Sequence, residues 1–465
     1  MISTRLDRPR VRRSWQRRSS TGLLMLCVAS LGYGALGCAS YSDHTKAART
    51  ALDAGRAREA ADAYNKLLEV KSDAELPDDL KGDKIVQVLE RSTILAQLEN
   101  YKMSSRDLEA SDKNIEMLDF SRSTMDDVSK FIFTDDAGPY QSPPYEKLMI
   151  NTMNMLNYLV RGDLNGARIE ARRFAVMDQY LTEHAGQGKT LTGPGAYFAG
   201  FVFEKSRQPG EALRYYDEAL EYANYSATLT EPVRRLAKLD AYRTPRLTAL
   251  IGKAESAAPE APDESAEILI VVNYGRVPAK IAKRVPIGLA LTIASAWISP
   301  ASRAQANALA AQGLVTWVNF PAIEKPKISY GVPAGSVDTR PVALDGVAAI
   351  DVEAQKAWDQ NSGLIVGSAI TRMITRVIAG EAARRAAGGG TGGLLLSLGT
   401  QATMTAVDTP DTRGWSTLPA RIAVARVRVP AGKHTVQLEA RGARKVQTVD
   451  LKPNDWAVVN LTILR

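Results

Sequence analysis

The spacing of apolar residues changes near residue 254 of this 465-residue chain, and this change constrains the fold more than any other feature. Between residues 45 and 250, apolar side chains recur at intervals of three, four and seven, which places them on one side of a helix. After residue 264, continuous β-branched runs and alternating patterns appear, beginning with residues 267–274 (EILIVVNY). We therefore expect an α+β fold in which a helical region precedes a region with strands.

Small residues lie opposite aromatic residues throughout the helical region, a pattern that suits stacked helix hairpins. Residues 210–223 (GEALRYYDEALEYA), which include Tyr215 and Tyr216, resemble the second helix of a tetratricopeptide repeat (TPR). Such repeats bury one face only by stacking on their neighbours, at a period of about 34 residues. The small anchors Ala60, Ala167 and Ala212 do not keep that period, so we predict a TPR-like region with insertions over residues 38–253. A generic helical bundle is the alternative.

The rest of the chain predicts a linker and a second region. Residues 254–264 lack large apolar side chains and are predicted to be the linker, and residues 265–465 a mixed α/β region. A buried strand at 267–274, helices at 302–311, 345–359 and 362–387, and a strand at 313–320 are expected there. The last 45 residues alternate and contain a Pro-Ala-Gly-Lys turn at 430–433, which predicts a small antiparallel β-sheet at the C-terminus. The strand at 267–274 or the helix at 362–387 is expected to cover that sheet.

The first 37 residues have the order of a secretion signal: a basic leader, a short apolar run and small residues. Cys38 follows directly, and the run Ala35-Leu36-Gly37-Cys38 resembles a bacterial lipobox, although Ala35 stands where Leu is usual. We therefore predict a signal peptide over residues 1–37 and lipidation of Cys38. An ordinary cleaved signal and an uncleaved anchor are the alternatives, but the apolar run is too short to span a bilayer, which needs about 20 residues.

Lipidation at Cys38 predicts the localisation of the protein. Acyl chains such as palmitate hold a protein on a membrane, because each buried CH₂ contributes about 0.8 kcal/mol. Ala39 permits sorting to the outer membrane, so we expect an outer-membrane lipoprotein that faces the periplasm, with the inner membrane as the alternative. The pair Arg12-Arg13 loosely resembles a twin-arginine export signal.

Charge and cysteine content exclude two classes of function. The leader holds seven of the 59 basic and one of the 51 acidic residues, which leaves 52 and 50, a net charge near +2. No clustered basic face remains for nucleic acid. The other cysteine, Cys27, lies in the leader, so the mature chain is expected to have no free thiol and no internal disulfide. This excludes functions that depend on thiol chemistry.

No motif points to an enzyme, a cofactor or a metal. Residues 388–393 (GGGTGG) formally match a nucleotide-binding glycine motif, but they follow an Arg/Ala-rich helical stretch and not a strand, so a flexible link is preferred. The three histidines are far apart in sequence and lack convergent ligands or a nucleophile motif. We therefore expect no catalytic, cofactor or metal site.

Arg168, Arg172 and Arg173 form a basic cluster on one predicted helix. Arg168 and Arg172 are one turn apart, so both can pair with acids of an adjacent hairpin or of a partner. The sequence is compatible with two roles for these arginines: structural ion pairs, or a patch that binds an anionic ligand.

Two segments carry a family resemblance. One runs from Pro144 (PYEKL) to the arginines at 172 and 173, and the other is residues 407–419 (VDTPDTRGWSTLP) followed by 430–434. Together they are similar to a family of uncharacterised bacterial envelope lipoproteins with a TPR-like first half, which implies no activity. Asp411, Arg413 and Trp415 in the second segment predict either a pinned loop between helix and sheet or a recognition loop.

These observations lead to a non-catalytic hypothesis. We expect a lipid-anchored envelope scaffold that binds another envelope protein on its helical stack, with Arg168, Arg172, Arg173, Tyr215, Tyr216, Asp411, Arg413 and Trp415 as candidate contacts. The alternative is a lipoprotein that binds peptidoglycan or another polysaccharide through Trp415, Trp456 and the C-terminal sheet. A hydrolase that uses dispersed acids is the third hypothesis, and it requires two facing carboxylates in a pocket.

Overall fold

A computed structural model describes residues 40–120, 140, 142–184, 191–222, 224–255, 264–312, 317–324, 330–386 and 409–465. The predicted lipidation site Cys38 and the glycine run at 388–393 lie outside these residues.

Within the described residues between 41 and 255, the first region is helical, as expected. Its helices are α1 (Tyr41–His44), α2 (Lys46–Asp53), α3 (Ala57–Leu67), α4 (Asp83–Gln97), α5 (Tyr101–Phe120), α6 (Pro144–Val160), α7 (Leu164–His184), α8 (Thr192–Lys205), α9 (Pro209–Tyr222), α10 (Ser226–Leu236) and α11 (Pro245–Glu255).

Neighbouring helices pack as pairs, with glycines under aromatic rings. Gly200 of α8 lies beneath Tyr216 of α9, so close that a Cβ on this glycine would stand 2.4 Å from the ring. Gly195 has the same relation to Phe174 of α7. The helix pairs differ in length, however. Helices α4 and α5 have 15 and 20 residues, whereas α8 and α9 have 14 each. Helix pairing is therefore present, while the predicted TPR-like repeat is not confirmed.

The second region contains ten described strands and three described helices. The strands are β1 (Ala266–Tyr274), β2 (Lys280–Pro286), β3 (Trp317–Ile323), β4 (Ala334–Val337), β5 (Arg340–Val342), β6 (Asp345–Ala349), β7 (Arg421–Val429), β8 (Gly432–Ala440), β9 (Ala443–Leu451) and β10 (Trp456–Ile463), and the helices are α12 (Ile287–Ile293), α13 (Pro300–Ala311) and α14 (Ile350–Ala386). The two helices predicted at 345–359 and 362–387 are thus one helix, α14, preceded by strand β6.

The prediction of a single C-terminal antiparallel sheet is wrong. The strands form sheet A (order β10-β1-β7-β6), sheet B (β2-β3) and sheet C (β5-β4-β8-β9). Strands β7 and β8 are joined by the expected turn but belong to different sheets. Strand β1, expected to cover the terminal sheet, lies inside sheet A, where it pairs antiparallel with β7 and parallel with β10. Alternation shows which residues share a face, but not which strand is the neighbour.

Sheet A is the middle of three layers. On one face, Leu269 and Val424 pack against the helices in the main hydrophobic core. On the other face, Ile268 and Ala423 share a second core with Leu438 of sheet C. Strand β1 is buried on both faces, which explains its continuous apolar sequence. The helical layer and sheet A share one core, so the change of pattern near residue 254 marks a change of secondary structure within a continuous packing unit.

A small lobe projects from this sandwich. It consists of sheet B, α12, α13 and α14, which share a third hydrophobic core. Val285 and Phe320 of sheet B contribute to this core, and so do Ile365 and Ile370 of α14.

Candidate interaction surface

An ion cluster joins the helical layer to sheet A and includes one predicted contact residue. Arg426 of β7 donates through Nη2 to both carboxylate oxygens of Glu204 on α8, each at 2.7 Å, and its side chain also pairs with Glu267 of β1. Tyr216 donates to Glu204 Oε2 at 2.7 Å and accepts from Arg426 Nη1 at 2.9 Å. Tyr216 is fully buried, so it is part of this cluster and not available to a partner, contrary to the prediction.

The cluster is balanced by further cations. Lys205 pairs with both carboxylates, and Arg235 of α10 donates to Glu204 Oε1 at 3.0 Å. Burial alone would raise the pKa of Glu204, but Arg426, Lys205 and Arg235 outweigh burial and hold this pKa well below its usual range. Both carboxylates are therefore ionised and paired, which makes the cluster a structural link and not an acid-base site.

The 407–419 segment is described from residue 409, and its described part is a largely buried loop that leads into β7. Trp415 and Arg413 are 1% and 0% exposed, while Asp411 is half-buried. Arg413 donates to Asp411 through Nε at 2.9 Å and through Nη2 at 2.7 Å, which is a bidentate pair.

Two acids of the helical layer hold this loop. Glu90 of α4 accepts from the backbone N–H of Ser416 at 3.1 Å and of Thr417 at 2.7 Å. Glu146 of α6 accepts from the backbone N–H of Trp415 at 3.0 Å. Burial raises the pKa of both carboxyls, and these hydrogen bonds oppose the rise. The pinned loop is therefore the correct interpretation, and Arg413 and Trp415 are not exposed recognition residues.

The basic cluster on α7 is divided between internal pairs and solvent. Arg173 lies 3.5 Å from both Asp112 of α5 and Glu170 of α7, and Arg168 donates to Asn165 Oδ1 at 3.0 Å. Arg172 is exposed, and the structure shows no salt bridge for it within the described residues. One of the three arginines thus ties α7 to α5, as the ion-pair alternative expected, and Arg172 is directed outward.

Apolar side chains accompany Arg172 on the outer side of α7, and sequence reasoning missed them. Ile169 and Val176 are 57% and 71% exposed, and Tyr180 is 49% exposed. Their spacing of seven and four places them on one stripe of the helix. We call this stripe, together with Arg172, the α7 face. The spacing was visible in the sequence, but it is also the spacing of core residues, so exposure had to come from the structure.

Tyr215 lies beside the α7 face on the neighbouring helix α9. Its ring stacks on Phe203 with centroids 5.2 Å apart. Burial and the nearby Glu218 raise the pKa of Tyr215 to about 12, and the charge of Arg172 opposes that rise. Tyr215 is partly buried, so of the predicted aromatic pair it alone reaches the surface.

A pair of carboxyl groups lies between α7 and α9. Burial, together with the nearby charge of Asp178 on α7, raises the pKa of Glu218 on α9 to about 8. Asp178 in turn accepts from Thr192 Oγ1 at 2.6 Å. The pair is a contact between the two helices. Among the residues described, no group of three or more His, Cys, Asp or Glu side chains is arranged to hold a metal ion.

The tryptophans proposed for glycan binding do not form an exposed surface. Trp415 is buried, and Trp456 packs edge-on against Phe201 with centroids 5.6 Å apart. Trp415 is therefore not available to a glycan, whereas Trp456 is partly buried.

No described helix is both long enough and apolar enough to cross a membrane. Comparison of the chain with protein-family models, with curated proteins and with solved structures found no significant match.

Proposed function

We propose that this chain is a lipid-anchored lipoprotein of the bacterial envelope that acts as a non-catalytic scaffold and binds another protein through the α7 face. The observation that carries the proposal is the exposure of Ile169 and Val176 beside Arg172 on a helix whose opposite side is buried. Arg and Tyr contribute much of the binding energy at protein contact sites, and the α7 face presents Arg172 and Tyr180 beside these apolar groups.

The rigidity of the support favours this assignment. The pairs Arg426–Glu204 and Arg173–Asp112 connect the helical layer to sheet A and α7 to α5. A partner on the α7 face would meet side chains whose backbone is already ordered, so little conformational entropy is lost on binding. The predicted signal sequence and the lipobox-like run before Cys38 support the envelope location and the lipid anchor.

Site-specific photo-crosslinking in intact cells tests the contact surface. A photoreactive residue in place of Val176 is expected to yield one discrete crosslinked product, which Arg172→Glu weakens. The same probe in place of Val446, an exposed valine on β9 at 55% exposure, is the matched control and should yield none. Equal products from both positions, or none from Val176, would contradict the α7 face.

Mass spectrometry of the mature amino terminus tests the anchor separately. The proposal requires a diacylated residue at position 38, and Cys38→Ala should abolish both the modification and the processing. An unmodified start at another residue would contradict lipid anchoring and leave the crosslinking result unaffected.

A further inference from the structure

Three arginines from distant parts of the chain meet at one corner of the molecule, beside Tyr330. Arg276 follows β1, Arg441 lies in the turn between β8 and β9, and Arg465 follows β10. Tyr330 donates through its hydroxyl to the carbonyl oxygen of Arg276 at 3.0 Å, and the Arg441 guanidinium lies 5.1 Å from the centroid of the same ring. Arg465 donates through Nη2 to the carbonyl oxygen of Arg441. We call these three arginines the arginine corner.

Positive charge exceeds negative charge at the arginine corner. In the described part of the chain, Asp53 at the end of α2 is the one acid that pairs with these arginines, through Arg276 Nη2. The Asp53 side chain is 68% exposed, so solvent weakens this pair. Burial lowers the pKa of Arg441, and the charges of Arg465 and Arg276 lower it further. Like charges are therefore held close together, an arrangement that an anion would stabilise.

The arginine corner also has hydrogen-bond donors without acceptors. Within the described residues, the Arg441 side chain donates no hydrogen bond, and its Nε is buried. Arg276 Nη1 is likewise buried without a partner there. A guanidinium has five N–H donors and no acceptor, and buried donors in folded proteins are nearly always bonded to protein, water or an ion. The corner therefore matches a group that supplies several acceptor oxygens and negative charge.

The backbone of the β8–β9 turn holds Arg441 in an unusual conformation. Arg441 and Gly442 have φ angles of 48° and 70°, as in a type I′ hairpin turn. Asn, Asp and Gly are usual at the first of these positions, because a larger side chain disfavours the left-handed region. Gly442 also leaves room for Arg465, since a Cβ on this glycine would stand 2.9 Å from Arg465 Nη2. Backbone strain of this kind is concentrated at functional sites, and here it places Arg441 beside the other two arginines.

We propose that the arginine corner binds a phosphate monoester group through Arg276, Arg441 and Arg465. Such a group carries a charge of about −1.5 to −2 at neutral pH and three acceptor oxygens, and the forked guanidinium matches pairs of these oxygens. Three guanidinium groups from separate elements suit a tetrahedral group with three terminal oxygens better than a planar carboxylate with two. Soluble phosphorylated molecules and lipid headgroups both present this group. The site depends neither on the α7 face nor on the proposed anchor.

Calorimetric titration with inorganic phosphate tests the site. The chain from residue 39 onward contains every residue that the structure describes, and it should bind one phosphate saturably at pH 7.5 and acetate far more weakly. We expect Arg441→Gln to weaken phosphate binding at least about tenfold, because charge-assisted hydrogen bonds are lost. Arg207→Gln is the matched control and should change nothing. Arg207 is also an arginine with positive φ in a turn, at 58°, but it is exposed and lies between α8 and α9.

Removal of the competing acid gives a result that a purely structural role would not produce. Asp53→Asn frees Arg276 Nη2, so phosphate binding should become about threefold tighter. The proposal is overturned if phosphate does not bind saturably, if acetate binds equally well, or if Arg441→Gln and Arg207→Gln bind alike. Unchanged or weaker binding in Asp53→Asn would also contradict it.

Vesicle sedimentation distinguishes the two sources of the phosphate group. Phosphatidic acid carries a phosphate monoester, whereas the phosphate of phosphatidylglycerol is a diester. Sedimentation with phosphatidylcholine vesicles that contain phosphatidic acid, reversed by free phosphate, would assign a lipid headgroup. Binding of free phosphate without sedimentation would assign a soluble phosphorylated molecule. Equal sedimentation with both anionic lipids, unchanged by Arg441→Gln, would show general attraction to anionic surfaces and contradict the site.

Discussion

Arg426 and Glu204 meet across the boundary between sheet A and the helical layer, with one guanidinium nitrogen 2.7 Å from each carboxylate oxygen. Both side chains are 3% exposed. Burial of two charges is costly, and it is tolerated only when the partners and the remaining hydrogen bonds are all satisfied. The pair therefore connects α8 of the helical layer to β7 of sheet A.

Removal of the cation from this cluster should destabilise the protein strongly. We expect Arg426→Met to lower the free energy of unfolding by about 3–5 kcal/mol, because Glu204 and Glu267 would be left buried with insufficient positive charge. Urea denaturation measures the effect. Arg56→Met is the matched control: Arg56 and Glu59 form an exposed pair, at 51% and 61% exposure, and its loss should cost less than about 1 kcal/mol. A small effect of Arg426→Met would mean that the cluster is not closed to water.

The contact between Gly200 and Tyr216 should not tolerate a methyl group. Gly200→Ala places a Cβ 2.4 Å from the Tyr216 ring, so we expect a loss of about 1–3 kcal/mol from forced repacking of α8 on α9. Gly252→Ala is the control, since no described atom lies within 4 Å of its Cβ position and alanine favours the helix by about 1 kcal/mol. The midpoint temperature of thermal unfolding should therefore fall for Gly200→Ala and rise for Gly252→Ala. A rise for both variants would argue against close packing of Gly200 on Tyr216.

Glu170 should make stability depend on pH. Burial raises its pKa to about 7, although Arg173 and Asn151 oppose the rise. The folded state therefore holds this proton more tightly than the unfolded state, whose carboxyl titrates near about pH 4.3. Its contribution to stability is present below about pH 4 and is lost as the pH rises towards 7.

Replacement of this carboxyl isolates the effect. The variant Glu170→Gln can still accept from Asn151 and does not titrate, so its stability relative to the parent should increase between about pH 4 and 7 and then level off. Glu183→Gln, an exposed change on the same helix, should show no such trend. Urea midpoints across this range measure both, and parallel curves for the parent and Glu170→Gln would rule out the effect.

His434 and Asp338 should respond to pH through the charge of the imidazole. The imidazole Nδ1 lies 2.5 Å from Asp338 Oδ2, and Nε2 lies 2.8 Å from the carbonyl oxygen of Pro430. Burial alone would lower the pKa of His434, but both acceptors favour the charged ring, and the pKa is raised. The pair therefore stabilises the turn between β4 and β5 fully below about pH 6.5, and this contribution is lost as the pH rises through the raised pKa.

NMR titration of His434 and stability measurements test that pair. Asp338→Asn should lower the pKa of His434 and reduce stability at mildly acid pH by less than about 1 kcal/mol, since Asp338 is exposed. The resonance of His44 serves as an internal reference, because this residue lies in α1, outside the contact. An unchanged titration of His434 in Asp338→Asn would show that the carboxylate does not hold the proton.

Local sequence determined much of this molecule. Intervals of three and four predicted the helical layer, and small residues opposite aromatic ones predicted packed helix pairs, of which Gly200 and Tyr216 are an example. The continuous apolar run at 267–274 predicted a buried strand, and β1 is buried along its whole length. These features depend on residues that are close together in the sequence, so the spacing of apolar and small residues along the chain predicts them.

Only the tertiary structure decided which distant segments meet. Glu267 of β1 lies in register with Trp456 of β10, far away in sequence, and this parallel pairing removed β10 from the expected terminal sheet. The same folding buried Glu204 and Arg426, which look like solvated charges in the sequence, and it left Ile169 and Leu289 exposed at positions where apolar periodicity indicates a core. Periodicity specifies the face of each element, whereas partner and burial depend on how all elements pack together.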